Sequence, residues 1–373
     1  MKFKGFKSKM IIIVVMFAMI LSSVFVFAGC GGNYDFRIGI NQFIQHPSLD
    51  QTREGFVERL TELMAEEGKT VRFDYQNANG IAATNATINT NFIARNVDMI
   101  FAIATPSATN ARDAAAPRGT PVVYGAITAP EAPHVGLSGY SHVAGVSDYL
   151  DMKVQLEFIG QVLGGSVSNI AFIYSGDEGN SEIQRDSLLA AAQELDGVTV
   201  VPHTINAVED IAPIMALIAN SNAQVIYIGT DNRLAANMQQ IANLNSLATN
   251  SLPVITGATS MAEEGGVASL GVDYTDVGRY SAEIAFRILI GEETPGDIEP
   301  FYFDYDTLSV LINKRVAANI GFEIPQALIE RADIIIIDDE SRDCGCGNGS
   351  ILVGMFVILA VMGGALLLAK RKE

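Results

Sequence analysis

Ile100-Phe-Ala-Ile-Ala-Thr-Pro-Ser107 and Val225-Ile-Tyr-Ile-Gly-Thr-Asp-Asn232 have the same form: four consecutive apolar residues that run into a small polar loop. A strand apolar on both faces belongs in a parallel sheet covered by helices on each side. Working outward, strands are expected at 36–40, 71–75, 98–104 and 121–125. Helices fall between them at 49–67, 82–95 and 106–116, the first with Phe56, Leu60, Leu63 and Met64 on one face and Ser48 with Gln51 as a capping box. After a helix at 149–163 the pattern restarts, with strands at 169–174, 199–204, 224–228 and 253–256. The fold class is α/β: two doubly wound, Rossmann-like lobes joined by crossover hinge segments. The seam falls near 139–148. A strand at 268–274 and a helix at 275–290 are expected to return to the first lobe, and 299–303 to cross again. Helices at 314–320 and 326–331 are assigned to the second lobe. The expected lobes are therefore 34–143 plus about 268–298, and 144–267 plus about 299–338.

Composition supports real cores. Of 373 residues 49% are hydrophobic and 18% charged. The three cysteines, Cys30, Cys344 and Cys346, all lie outside the stretch that reads as folded, which excludes a disulfide scaffold. The pair Cys344-Gly-Cys346 leaves zinc under-coordinated, and the four histidines show no metal spacing, so no metal is expected. Net charge is −18. Seven of the 24 cations and one of the 42 anions lie outside residues 31–350, leaving that span at −24. Such a surface repels phosphate backbones and argues against nucleic acid as a partner.

Both ends read as membrane segments. A basic start and an apolar run through Ala28-Gly29 describe an export signal over residues 1–30. The small pair before Cys30 resembles a bacterial lipobox, and that resemblance implies lipid on the Cys30 sulfur. Phe27 departs from the Leu usual there, and an uncleaved anchor is the alternative. Residues 339–350 read as a small flexible linker. Residues 351–369 are apolar over about the length a bilayer needs, either a second anchor or a sorting tail, and 370–373 are a basic cytoplasmic tail. The body is thus expected outside the cytoplasm, anchored to the cell membrane.

In open α/β sheets ligands sit beyond the carboxyl ends of strands. The segments there are 41–46, 105–107, 128–130, 175–181 and 230–232, all small and polar. They supply the candidate ligand residues Gln42, His46, Thr105, Ser107, Thr128, Asn180, Ser181, Asp231 and Asn232, with Asp148 at the seam. Each also has a structural reading: Thr105 before Pro106, Ser181 with Gln184, and Asp231 all suit helix caps. Hydroxyls and free N–H groups suit a carboxylate, and Asp231 or Asp148 suits an ammonium, so together they suit a zwitterion such as an amino acid. Phe43, Tyr149 and Tyr174 are candidates to wall a side-chain pocket. The chain shows no G-x-G-x-x-G after the first strand, no phosphate-binding P-loop and no G-x-S-x-G elbow, so no catalytic residue and no cofactor are assigned.

These stretches resemble the ABC-transporter substrate-binding family, whose studied members include tryptophan- and tyrosine-binding lipoproteins. The matching residues include Ile38-Gly-Ile40, His46-Pro-Ser-Leu-Asp50 with Arg53-Glu-Gly-Phe56, Ala104-Thr-Pro-Ser107, Pro121-Val-Val-Tyr124 and Gly145-Val-Ser-Asp148. Further on they are Glu178-Gly-Asn-Ser181, Thr230-Asp-Asn232, Gly271-Val-Asp-Tyr274 with Gly278-Arg279, and Pro325. The resemblance spans about residues 36–337. It implies a type I periplasmic-binding-protein fold with three crossovers, a small-molecule ligand that is a free amino acid, aromatic in first choice, and ABC permease and ATPase partners. It also implies that the loops at Thr105/Ser107, Thr128, Asn180/Ser181 and Asp231/Asn232 face the ligand. Ala129 stands where the family usually has Asp, which puts specificity in question. A receptor that passes occupancy to a membrane signalling partner is the alternative function.

Overall fold

The protein is described by a computed structural model covering residues 34–133 and 135–337. The expected export signal, Cys30, the linker, Cys344, Cys346 and the apolar tail lie outside those residues. Among the described residues no helix is long and apolar enough to cross a membrane.

The first half runs β1 (Phe36–Gln42), α1 (Pro47–Glu66), β2 (Val71–Asn77), α2 (Ala82–Ala94), β3 (Met99–Ile103), α3 (Thr105–Ala115), β4 (Val122–Ile127) and β5 (Val143–Ser147). Its strands form a five-stranded sheet in the order β2-β1-β3-β4-β5, parallel throughout. The second half runs α4 (Met152–Val162), β6 (Asn169–Ser175), α5 (Gly179–Gln193), β7 (Thr199–Ile205), α6 (Ile211–Ala219), β8 (Val225–Ile228), α7 (Asn232–Ala235) and α8 (Met238–Ser246). It continues through β9 (Val254–Ala258), α9 (Thr259–Glu264), β10 (Ala268–Val272), α10 (Tyr274–Leu289), β11 (Ser309–Asn313), α11 (Lys314–Asn319), α12 (Gln326–Arg331) and β12 (Ile334–Ile336).

The second sheet has seven strands in the order β12-β11-β10-β9-β8-β6-β7. Read from its far edge, β7-β6-β8-β9-β10 repeats the connectivity β2-β1-β3-β4-β5, so both sheets reverse strand order at the same place. That switch point, between β1 and β3 and between β6 and β8, opens the crevice where such sheets take ligands. The repeat is extended by β11, which joins β10 antiparallel, and by β12.

Burial follows the apolar runs. Every residue of β3 and of β8 is buried. Phe56 of α1 is fully buried and stacks on Phe101 of β3, ring centroids 3.8 Å apart, worth about 1.5–3 kcal/mol for burying such a side chain.

Three expectations about the crossings need correction. Residues 143–147, expected as seam and second lobe, are β5, the last strand of the first sheet. Residues 268–272, expected in the first lobe, pair with β9 and β11 in the second sheet, while α10 after them packs along α1. Residue Phe301, expected in the second lobe, bridges Val146 at the free edge of β5 before the chain passes to β11. An apolar strand carries no mark of which sheet it joins; the hydrogen-bond ladder decides.

The chain thus crosses between sheets three times: after β5, after β10 and between Phe301 and β11. Two glycines hold α10 to the first lobe. A Cβ on Gly55 of α1 would lie 2.3 Å from the Thr275 carbonyl oxygen, and one on Gly278 would lie 2.2 Å from that of Thr52. The helices therefore meet backbone to backbone, and only glycine fits at either position.

Candidate functional site

The carboxyl ends of the two sheets face each other. A small cavity between them is lined from the first lobe by His46, Ser48, Leu49, Ala126, Thr128 and Asp148, and by Tyr274 at the start of α10. From the second lobe come Asn180, Thr230, Asp231, Asn232, Ala235, Ala258 and Met261. The lobes touch directly around it. The hydroxyls of Ser48 and Ser260 are hydrogen-bonded, Thr128 Oγ1 lies 3.2 Å from Thr230 Oγ1, and His46 Nε2 lies 3.4 Å from Asn232 Oδ1. The remaining volume, about 10 Å³, holds the centre of one water molecule. That volume is too small for a ligand of several heavy atoms.

The helix starts around the cavity are rich in free N–H groups. Helices α1, α5 and α9, whose first turns reach the cavity, have no side-chain cap, so their first-turn donors and dipoles favour an anion. The expected caps are absent for a local reason: each helix starts at or before its hydroxyl. Helix α1 begins at Pro47, and Ser48 instead bonds to Ser260 across the cleft. Helix α3 begins at Thr105 behind Ala104. Helix α5 begins at Gly179, and Ser181 donates to Asp231 Oδ2 at 2.7 Å.

Asp231 is fully engaged inside its own lobe. Oδ2 accepts from the Ser175 N–H at 2.7 Å and from the Ser181 hydroxyl. Oδ1 accepts from the Ser175 hydroxyl at 2.9 Å and the Leu234 N–H at 2.9 Å. Four donors occupy its four lone-pair sites. Of the two carboxylates expected to suit an ammonium, Asp231 takes its capping reading instead: this carboxylate joins β6, α5 and α7.

Asp148 differs. Its carboxyl is buried and accepts from two side chains, Tyr274 OH at 2.8 Å on Oδ2 and Thr128 Oγ1 at 3.1 Å on Oδ1. Burial pushes it up to about 6, against the pull of those two hydrogen bonds. It faces the cavity with acceptor capacity to spare. Asn180 is similar: its Nδ2 donates to the Thr230 carbonyl at 2.8 Å, while its buried Oδ1 has no partner. His46, held down to about 4 by burial, keeps a buried Nδ1 without a partner. Behind the wall, buried Glu178 accepts from Asn232 Nδ2 at 2.6 Å and orients that amide. Burial and the nearby Asp231 charge drive its carboxyl upward.

Two strained alanines mark the first-lobe wall. Ala104 sits at φ 77°, ψ 153°, a region essentially reserved for glycine, and Ala126 at φ 62°. They follow or end the adjacent strands β3 and β4 and are linked by the Ala104 N–H to the Gly125 carbonyl at 3.1 Å.

Of the ten candidate residues, His46, Thr128, Asp148, Asn180, Asp231 and Asn232 line the cavity. Four do not. Gln42 donates to Asp50 and to the Ile44 carbonyl. Ser107 donates to Asn85 within a buried amide network. Thr105 is buried outside the cavity lining, and Ser181 serves Asp231. The three aromatic candidates are also elsewhere: Phe43 is core, Tyr149 is exposed, and Tyr174 pairs with Thr204. Tyr274, Ser48 and Met261 were missed as site residues. Tyr274 and Ser48 left a trace, in the stretches Gly271-Val-Asp-Tyr274 and His46-Pro-Ser-Leu-Asp50; Met261 left none. A larger open groove of about 750 Å³ lies beside α1 and α10, and none of the ten candidates lines it.

Two α/β lobes, three crossovers and a polar cavity at the paired switch points define a two-lobed binding protein of type I periplasmic architecture. Comparison with known proteins gives the family. The sequence profile of ABC transporter substrate binding proteins matches residues 37–336. A tyrosine-binding protein of Clostridioides difficile strain R20291 is 30% identical over 295 residues, 76% of this chain and 83% of its own length. Among solved structures, the ABC domain from Streptococcus pneumoniae in complex with L-Trp is 29% identical, with TM-score 0.72, covering 81% of this chain and 99% of that one. A ligand-free, open substrate-binding protein with adhesive properties from Clostridium difficile is 28% identical, with TM-score 0.61, covering 81% and 100%. The chain belongs to the ABC transporter substrate binding protein family, whose members are extracytoplasmic solute-binding proteins.

Proposed function

We propose that the chain captures a free amino acid, aromatic in first choice, between its lobes and presents it to the permease and ATPase of an ABC importer. The observation that carries this reading is the cavity itself. Hydroxyls and uncapped helix starts offer donors for a carboxylate, and Asp148 with Asn180 Oδ1 offers acceptors for an ammonium. Relatives named for tyrosine and bound to L-Trp favour an aromatic side chain. The family match favours transport over the sensing alternative.

Capture works by hinge closure. The ligand meets both lobes only when they close, so its differential affinity draws the open form shut. At nearly equal identity the chain is more similar to the L-Trp complex than to the open, ligand-free structure, which supports a closed arrangement here. The body would be held at the outer membrane face by lipid on Cys30, by residues 351–369, or by both. Mass spectrometry of small molecules released from the purified chain tests the reading: an intact amino acid is expected. A sugar, a nucleobase or a chemically converted product would refute it.

A further inference from the structure

The cavity contains one ordered polar group that ligand capture as described does not use. Tyr274 lies 126 positions after Asp148, yet its hydroxyl donates to Asp148 Oδ2 at 2.8 Å. Both residues are buried, at 2% and 4% exposure, and both line the cavity. Each also stands at a crossover. Asp148 opens the segment leaving β5, and Tyr274 opens α10 directly after the chain leaves β10. Helix α10 packs closely on α1, because Gly55 and Gly278 bring the two backbones into contact. The phenol is therefore carried on an element fixed to the first lobe, at the foot of a strand that belongs to the second.

We infer that Tyr274 is a positioning residue of the ligand site, its phenol holding the Asp148 carboxylate toward the ligand's ammonium while tying the second crossover to the first. This deepens the amino-acid reading above and rests on it. The geometry restricts the alternatives. Asp231, the other carboxylate at the cavity, is saturated by four donors of its own lobe. Asp148 receives two side-chain donors, one per oxygen, which fix the plane of the carboxylate and leave lone pairs free. Thr128 supplies the second donor and lies 3.2 Å from Thr230 of the facing lobe, so the same carboxylate is linked to closure as well as to the hinge.

The charged and titratable groups around Asp148 are few. Tyr274 faces it from α10. His46 at the start of α1 and Asp231 at the start of α7 line the same cavity, and Glu178 stands behind Asn232. Loss of the phenol hydroxyl removes a hydrogen bond that favours the ionised carboxylate, so Asp148 would hold its proton to higher pH.

The test is calorimetric titration of the full chain, wild type and Tyr274→Phe, between pH 5 and pH 8. The probes are L-tyrosine, L-tryptophan and 3-(4-hydroxyphenyl)propionate, which lacks the ammonium. For Tyr274→Phe the expected result is about tenfold or greater loss of amino-acid affinity, in line with a hydrogen bond to a charged group. The pH midpoint of that affinity should move upward, and the affinity for the propionate should be unchanged. Thr128→Val, which removes the other donor, should shift the midpoint in the same direction. Equal losses for all three probes in both variants, with no midpoint shift, would reduce Tyr274 to a packing residue and overturn the inference. Wild-type chain that binds the propionate as tightly as L-tyrosine would refute a role for the Asp148 charge. Wild-type chain that binds none of the three would bring down the underlying amino-acid reading, and this inference with it.

Discussion

Two buried aspartates face the same cavity from opposite lobes, and they serve different ends. Asp231 closes a circuit of four donors from β6, α5 and α7. Asp148 has two side-chain donors and open lone pairs, and burial has raised it to about 6. The second-lobe wall is built before ligand arrives; the first-lobe wall still has a charge to satisfy. A carboxylate's role is set by the number of donors already on it, not by its distance from the cleft.

The largest expected effect separates stability from binding. Asp231→Ala strands four donors, at about 1–3 kcal/mol for each one left buried and unmet. With partial relaxation a net loss of about 3–5 kcal/mol is expected, read as a lowered midpoint in urea unfolding. Unaltered stability would remove the contrast between the two residues.

Asp148→Asn should do the reverse. Affinity for L-tyrosine should fall about a hundredfold by calorimetry, the scale of a charge-assisted hydrogen bond. Stability should not fall. The folded-state pKa of Asp148 is raised, so the native chain holds this proton more tightly than the unfolded chain. Burial of the charge is therefore a penalty that appears as pH rises from about 4 to above about 6. The variant should unfold at a higher temperature than wild type at pH 7 and lose that advantage at pH 4.

Asn180→Ala should cost about tenfold in affinity, since its unpartnered Oδ1 is free to accept from the ligand. The smallest effect concerns acid. His46 is buried neutral in the closed form and takes up a proton when exposed, so closure weakens as pH falls from about 6.5 toward about 4. In His46→Gln the acid-induced loss of affinity should be shallower than in wild type, though not abolished, because Asp148 also titrates there.

Much of the fold was legible in the sequence. Runs such as Ile100–Ile103 and Val225–Ile228 are apolar on both faces, and a parallel sheet covered by helices buries both. Crossings were less legible. Ala268–Val272 is as apolar as any first-sheet strand, and nothing in it specifies a partner. Gly55 and Gly278 did carry the signal that α10 packs on α1, yet a glycine in a helix reads as a weakness until its neighbour is known.

The site was half legible for a related reason. Strand-end position found His46, Thr128, Asn180 and Asn232 at the cavity. It could not distinguish Ser107, turned back into the Asn41–Asn85–Asn89 amide network, from a hydroxyl facing the cleft. Tyr274 escaped because it follows a strand that the sequence assigns to the wrong sheet.

A crystal structure of the full chain grown with L-tyrosine would test the central contrast most directly. The amino group is expected within hydrogen-bonding distance of Asp148, with Asp231 still holding its own four donors. An amino group seated against Asp231 instead, or a ligand bound outside the cleft, would contradict it.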